Sequence, residues 1–266
     1  MSAWNIARGL GVRVSTGDTV RTERQNRVAI ITIDRPERRN ALDAATIGGL
    51  GAAFVAAEQD DSIRAVVLTG AGEVAFCAGM DLRDFGTPVK GSPGLEVFTT
   101  RGYPKPIVAA VNGAAVGGGF ELVLAADLVV AAEHATFAVP EVMRGVVGAG
   151  CTTRLAGRLP PALVAELTLT GDRISAQRAL SLGLINEIVA PQMHVERAIA
   201  LAERATAGAP LAVRITKELI RRERGEHDAS EWQAIRSLAT PAFASDDARE
   251  GAAAFAARRP PVWTGR

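Results

Sequence analysis

Four short, unbroken apolar runs set between longer amphipathic stretches constrain this chain more than any other feature. Val28–Ile33, Ala65–Thr69, Ile107–Val111 and Leu128–Val130 are rich in Val and Ile and too short to be helices. Asp34-Arg35-Pro36 stops the first and Gly70 the second. A strand that is apolar on both faces must be covered on both, which predicts an α/β fold. Between the first two runs Asp43 can cap a helix reaching about Glu58, with Ile47, Leu50, Phe54 and Val55 along one side. From about Gly148 onward the pattern turns helical. Helices are expected over Pro160–Leu169, Ala176–Ser181, Gln192–Ala205, Leu211–Arg224, Ala229–Ala239 and Asp246–Arg258, with Ser175 and Ser245 as N-caps. One strand, Ile185–Val189, interrupts them.

Composition narrows the function more than the fold. The 266 residues can bury a sizeable core, and 30 basic against 29 acidic side chains leave a net charge of +1. That balance offers no general field for nucleic acid or an anionic membrane. Cys77 and Cys151 form no C-x-x-C pair and no zinc spacing, so a reducing cytoplasm is the natural reading. The richest apolar stretch, Ile107–Ala132, is broken by Asn112, Glu121, Asp127 and four glycines, so no membrane span is expected. Met1–Asn26 lacks the apolar core of a signal peptide.

Three segments carry candidate chemistry. In Ala110–Leu122 a strand ends at Val111 and a helix begins within Gly117-Gly118-Gly119. Glycines let backbone N–H groups approach a bound oxygen, and a helix N-terminus adds uncompensated donors and a positive dipole end. Glu121 lies three residues after Gly118, on the same face and one turn along. The triplet equally suits close packing of a helix on a strand. A phosphate loop fits poorly, because no Gly-Lys-Ser/Thr follows. In Gly72–Leu82 a loop after a buried strand can present a second donor at Met80, or be an ordinary connection. Two such donors converging on one developing charge are what an oxyanion hole requires. In Ala135–Glu141, Pro140 stiffens the approach to Glu141, which is either a surface acid or the partner of Glu121 in a carboxylate pair.

These segments, in this order, resemble the enoyl-CoA hydratase/isomerase (crotonase) superfamily from about Val28 to the C-terminus. The matching residues are Asp34–Leu42, Val66–Gly70, Ala75–Leu82, Lys105–Gly113, Gly117–Glu121, Phe137–Glu141 and Leu169–Ala176. The resemblance implies a ββα spiral core over residues 1–200, a helical trimerisation region over 201–266, and assembly as a trimer or a hexamer of two trimers. It implies oxyanion donors at Met80 and Gly118 and a catalytic pair at Glu121 and Glu141. It places coenzyme A along Arg38, Arg39, Ala41, Ala78, Asp81 and Leu82. Phe255 and Arg258 of a neighbouring subunit, with Arg259 an alternative, would reach the adenine, although a solvated C-terminal face explains those arginines equally well. No metal or separate cofactor is implied, since coenzyme A belongs to the acyl-CoA substrate.

Retention of both glutamates points to hydration of a 2-enoyl thioester. A double-bond isomerase, a carnitine-type racemase or dehydratase, and a non-catalytic acyl-CoA-binding subunit are the alternatives. One departure bears on that choice. Many relatives carry Gly-x-x-Pro-Gly-x-Gly-Gly after the second glutamate, whereas Arg144–Arg154 lacks the proline and is one residue shorter. The segment 83–102 borders the acyl chain in the family. Cys77 and Cys151 read as packed thiols, His134, His194 and His227 as solvent-facing, and Trp4, Trp232 and Trp263 as packing groups.

Overall fold

The computed structural model describes residues 14–15, 18–81, 94–100, 102–223 and 229–266. Leu82, His227, Trp4 and most of the segment 83–102 therefore lie outside the described residues.

In chain order the strands are β1 (Val14–Ser15), β2 (Val20–Gln25), β3 (Val28–Ile33), β4 (Ala65–Gly70), β5 (Ala75–Cys77), β6 (Ile107–Val111), β7 (Ala114–Val116), β8 (Leu128–Ala132), β9 (Thr136–Ala138), β10 (Ile174–Ser175) and β11 (Glu187–Val189). The helices are α1 (Ala44–Gln59), α2 (Glu96–Thr99), α3 (Gly118–Ala125), α4 (Ala149–Ala156), α5 (Pro161–Thr170), α6 (Ala176–Ser181), α7 (His194–Thr206), α8 (Pro210–Glu223), α9 (Ala229–Ala244) and α10 (Asp246–Ala257). Pro36–Arg38 and Glu141–Arg144 are 3-10 turns.

The larger sheet has the order β1-β2-β3-β4-β6-β8-β11, and from β3 onward its neighbours are parallel. The smaller has the order β10-β9-β7-β5. Each of β4, β6 and β8 is followed by a short strand of the smaller sheet and then by a helix, so the chain winds as a ββα spiral.

The continuous apolar runs have the predicted cause. Ala29, Ile31, Ile33, Val66 and Leu68 face one core with Leu50 and Phe54 of α1 and Phe120 and Leu124 of α3. Val28, Ala65 and Val67, which alternate with them, and Val108 and Val130 of β6 and β8 face the opposite side, covered by Ala198, Ile199 and Ala202 of α7. Each fully buried Val, Leu or Ile contributes about 1.5–3 kcal/mol. Position 200 falls inside α7, which packs on the sheet, and α8 begins at Pro210.

The predicted caps are in place. Asp43 accepts from the Thr46 N–H at 2.8 Å, and Ser175 and Ser245 accept from Arg178 and Ala248. Helix α9 runs five residues past its expected end at Ala239, carrying Pro241 inside it. The short strands of the smaller sheet had no expectation, and two longer elements were also without one. Strand β2 is polar and lies next to the sheet edge, and α4 begins Ala-Gly-Cys-Thr-Thr, a weak helix-forming sequence.

Candidate active site

Two backbone loops meet where β5 and β7 end. Asn40, fully buried, donates to the Ala71 and Ala75 carbonyls at 2.9 and 2.8 Å and accepts from the Arg35 N–H at 3.0 Å. Asn112 donates to Gly72 O at 2.8 Å and Ala75 O at 3.1 Å, and His134 Nε2 lies 3.1 Å from Glu73 O and 3.0 Å from Asn112 O. Both His134 partners are carbonyls, so Nε2 carries the proton. These contacts fix the loop that leads into Met80. Its far end is held by Leu42 N–H donating to Gly79 O at 2.8 Å and Asp81 N–H donating to Leu42 O at 2.9 Å.

The glycine triplet combines both of its sequence readings. A Cβ at Gly119 would collide with the Cys77 carbonyl, so this glycine lets α3 press on β5. Gly118 is different: a Cβ there would meet nothing closer than 3.8 Å, and one of the atoms at that distance is Met80 N. Among the described residues, no backbone carbonyl accepts from the Met80 or Gly118 amide. Two unengaged N–H groups thus lie side by side, one of them at the positive end of a helix.

Glu121 and Glu141 are brought together beside these donors. The 3-10 turn Glu141–Arg144 presents Glu141 toward the start of α3: a Cβ at Gly117 would lie 3.0 Å from Glu141 Oε1. A Cβ at Gly148 would lie the same 3.0 Å away, and one at Gly150 would collide with the Glu121 carboxylate. Each residue is partly exposed as a whole, but the carboxyl end of Glu121 is enclosed by the Gly150 backbone. Glu141 Oε2 is buried without a hydrogen-bond partner.

Burial pushes both carboxyls above the ordinary range. Glu141 is raised to about 7 by desolvation, opposed by its own backbone N–H and aided by the neighbouring Glu121 charge. Glu121 is raised by desolvation and opposed by the positive charge of Arg154. Such a pair titrates jointly.

The remaining expected positions are distributed as follows. Arg38 and Arg39 are exposed on the 3-10 turn, and Ala41 and Ala78 are partly exposed near it. The Asp81 carboxylate faces inward to Arg35 at 3.5 Å, and Arg35 also pairs with Asp43 at 2.9 Å. Phe255 is half exposed, with the Arg144 guanidinium 4.3 Å above its ring. Arg258 is exposed, while Arg259 is held by Glu250. Cys77 and Cys151 are buried free thiols; burial raises Cys77 to about 12, and Cys151 Sγ donates to Gly117 O at 3.2 Å. Trp232 is buried as expected. His194 is not solvent-facing: it is partly buried, and its Nδ1 is enclosed without a partner.

Three contributors were missed from the sequence. Gly148 and Gly150 make room for the two carboxyls, and Arg154 is a buried cation one helical turn after Gly150. The Gly-x-Gly-x-x-x-Arg spacing at 148–154 was the available signal.

A ββα spiral that sets two unengaged amides against a pair of enclosed carboxyls defines the crotonase class of fold. The chain belongs to the enoyl-CoA hydratase/isomerase family, whose model matches residues 23–266. It is 41% identical over 264 residues to the carnitinyl-CoA dehydratase of Salmonella arizonae, covering 93% of this chain and 99% of that protein. Among solved structures, the carnitinyl-CoA hydratase of Mycobacterium avium is 41% identical, with a TM-score of 0.85 over 94% of this chain and all of that one. The enoyl-CoA hydratase of Mycobacterium tuberculosis is 45% identical over the same shares, with a TM-score of 0.73.

Proposed function

We propose that this protein adds water across the 2,3 double bond of a 2-enoyl-CoA thioester and catalyses the reverse elimination. The observation that carries this reading is the unengaged Met80 and Gly118 amides beside Glu121 and Glu141, with Glu141 Oε2 buried and unpaired. Water attacks C3 and its proton passes to Glu121. Electron density moves through C2 and C1 onto the thioester oxygen, where the two amides stabilise it. The enolate collapses as Glu141 delivers its proton to C2. Losing one such donor typically costs about 10²–10³ in rate.

Coenzyme A is assigned to the surface formed by Arg38, Arg39, Ala41 and Ala78, with Asp81 holding that surface through Arg35; Leu82, the remaining expected contact, lies outside the described residues. No resident cofactor is assigned. A trimer is supported by α8, where Leu211, Ile215 and Leu219 recur every four residues and are 50–60% exposed. Phe255 and Arg258 would serve the adenine across that assembly. No described helix is long and apolar enough to cross a membrane, and the two free thiols fit a reducing compartment, so we assign the cytoplasm.

A second reading, dehydration of carnitinyl-CoA, is favoured by the relatives of that name. It uses the same elimination with a charged acyl tail. Comparing kcat/KM for crotonyl-CoA, a 3-enoyl-CoA and carnitinyl-CoA separates the readings. Preference for crotonyl-CoA supports the first, preference for carnitinyl-CoA replaces it with the second, and turnover of the 3-enoyl thioester alone overturns both.

A further inference from the structure

Arg154 is the buried cation of the site, and nothing in the reaction above uses it. It is 6% exposed, projects from α4, donates through Nη2 to the Thr99 carbonyl, and stacks its guanidinium 4.9 Å from the Trp232 ring centroid. Its Nε is buried without a hydrogen-bond partner. An arginine so enclosed is costly unless its charge is answered. Neither a carbonyl nor an aromatic face answers it in full.

The carboxylate on the same face of α4 is Glu121, which Arg154 reaches through space and not by a direct ion pair among the described residues. Gly150, one turn before Arg154 on α4, lies against the Glu121 carboxylate, so the same helix face carries the opening for that carboxylate and the cation beside it. The other titratable groups facing Glu121 are Cys151 of α4 and Glu141 of the 3-10 turn. Glu96 of α2 is turned to the Gly94 amide, Cys77 of β5 lies against Gly119, and β6 and β7 carry no titratable side chain.

We propose that Arg154 is a positioning residue for the carboxylate pair, a guanidinium fixed by Thr99 and Trp232 that supplies the counter-charge to Glu121 and not to Glu141. A cation on the Glu121 side of the pair favours the ionised form of Glu121 over that of Glu141. Glu121 is thereby left as the base and Glu141 as the acid. This inference rests on the hydratase reading for its kinetic consequence but not for its electrostatic one.

The test pairs kinetics with a direct titration. In the pH profile of kcat/KM for crotonyl-CoA, Arg154→Met should move the acid limb upward by about one pH unit or more. Arg154→Lys keeps the charge and Trp232→Leu removes only the stack, so both should leave the limb in place at reduced rate. Equal displacement by Lys and Met, or none with a folded Met variant, would show a purely packing role. Infrared spectra of protein carrying 13C-labelled glutamate add a readout independent of turnover and of the Met variant's folding. At neutral pH the protonated carboxyl band of the wild type should vanish in Glu141→Gln and persist in Glu121→Gln. The reverse pattern overturns the proposal, whereas the expected pattern without crotonyl-CoA turnover overturns only the hydratase reading.

Discussion

The seats of the two glutamates differ in how much of the molecule holds them. Glu121 stands on α3, whose first turn is pressed onto β5 through Gly119 and whose flanking strand β7 sits in the middle of the smaller sheet. Glu141 stands on a 3-10 turn without a residue that is itself buried. That turn is braced from outside: Gly251 of α10 lies against the Arg144 carbonyl, and Gly145 lies against Asp247. One carboxylate is placed by the core of the spiral, the other by the C-terminal helices. Bracing by α10 leaves the 3-10 turn separable from the donor loops, which are held by the core.

The comparison breaks first at the carboxylates themselves. Glu121→Gln and Glu141→Gln should each lower kcat for crotonyl-CoA by about 10²–10⁴, measured as slower loss of the conjugated thioester absorbance. Gly150→Ala, which puts a methyl group where the Glu121 carboxylate lies, should cost about 10² without unfolding the chain. Gly251→Ala tests the outer brace. It should shift the 3-10 turn and lower kcat by roughly tenfold, with a smaller change in KM, because about one kcal/mol of lost alignment is a factor of five to ten.

The raised pKa of Glu141 has a stability consequence with a definite sign. An unfolded glutamate releases its proton near 4.5, the folded one at about 7, so the folded state binds the extra proton between those values. Its stabilising contribution is present at low pH and is lost as pH rises from about 4.5 to 7. Glu141→Gln removes the burial of a charge, and at pH 8 it should be more stable than wild type by roughly 2 kcal/mol in urea titration, discounted for partial exposure. Hydration by the wild type should fall above about pH 7 as the acid loses its proton. The smallest effect is the control: Gly183→Ala, at φ +71 with no atom within 4 Å, should cost about 1 kcal/mol of stability and leave kcat unchanged.

What could be read from the sequence follows the same division. The strands β3, β4, β6 and β8, the capped helix α1 and the start of α3 were legible because local pattern and burial agree there. Glu121 could be placed relative to Gly118 by helix geometry alone. The strands β5, β7 and β9 are three residues long and carry no period, and α4 has glycine and threonine where a helix former is expected. The enclosure of Glu141 depends on Gly117, Gly148 and α10, which are brought together only by the tertiary fold. Arg154 read as one arginine among many because its burial is set by Thr99 and Trp232, 55 and 78 residues away in the chain.

Division of labour between two unequally seated carboxyls is the central claim, and exchange at C2 tests it most directly. Butyryl-CoA in deuterium oxide has a C2 proton that the site can remove and return with no water added at C3. The account predicts that Glu121→Gln retains this exchange at a rate near that of wild type, while Glu141→Gln loses it. Exchange that survives in Glu141→Gln and disappears in Glu121→Gln would contradict the account.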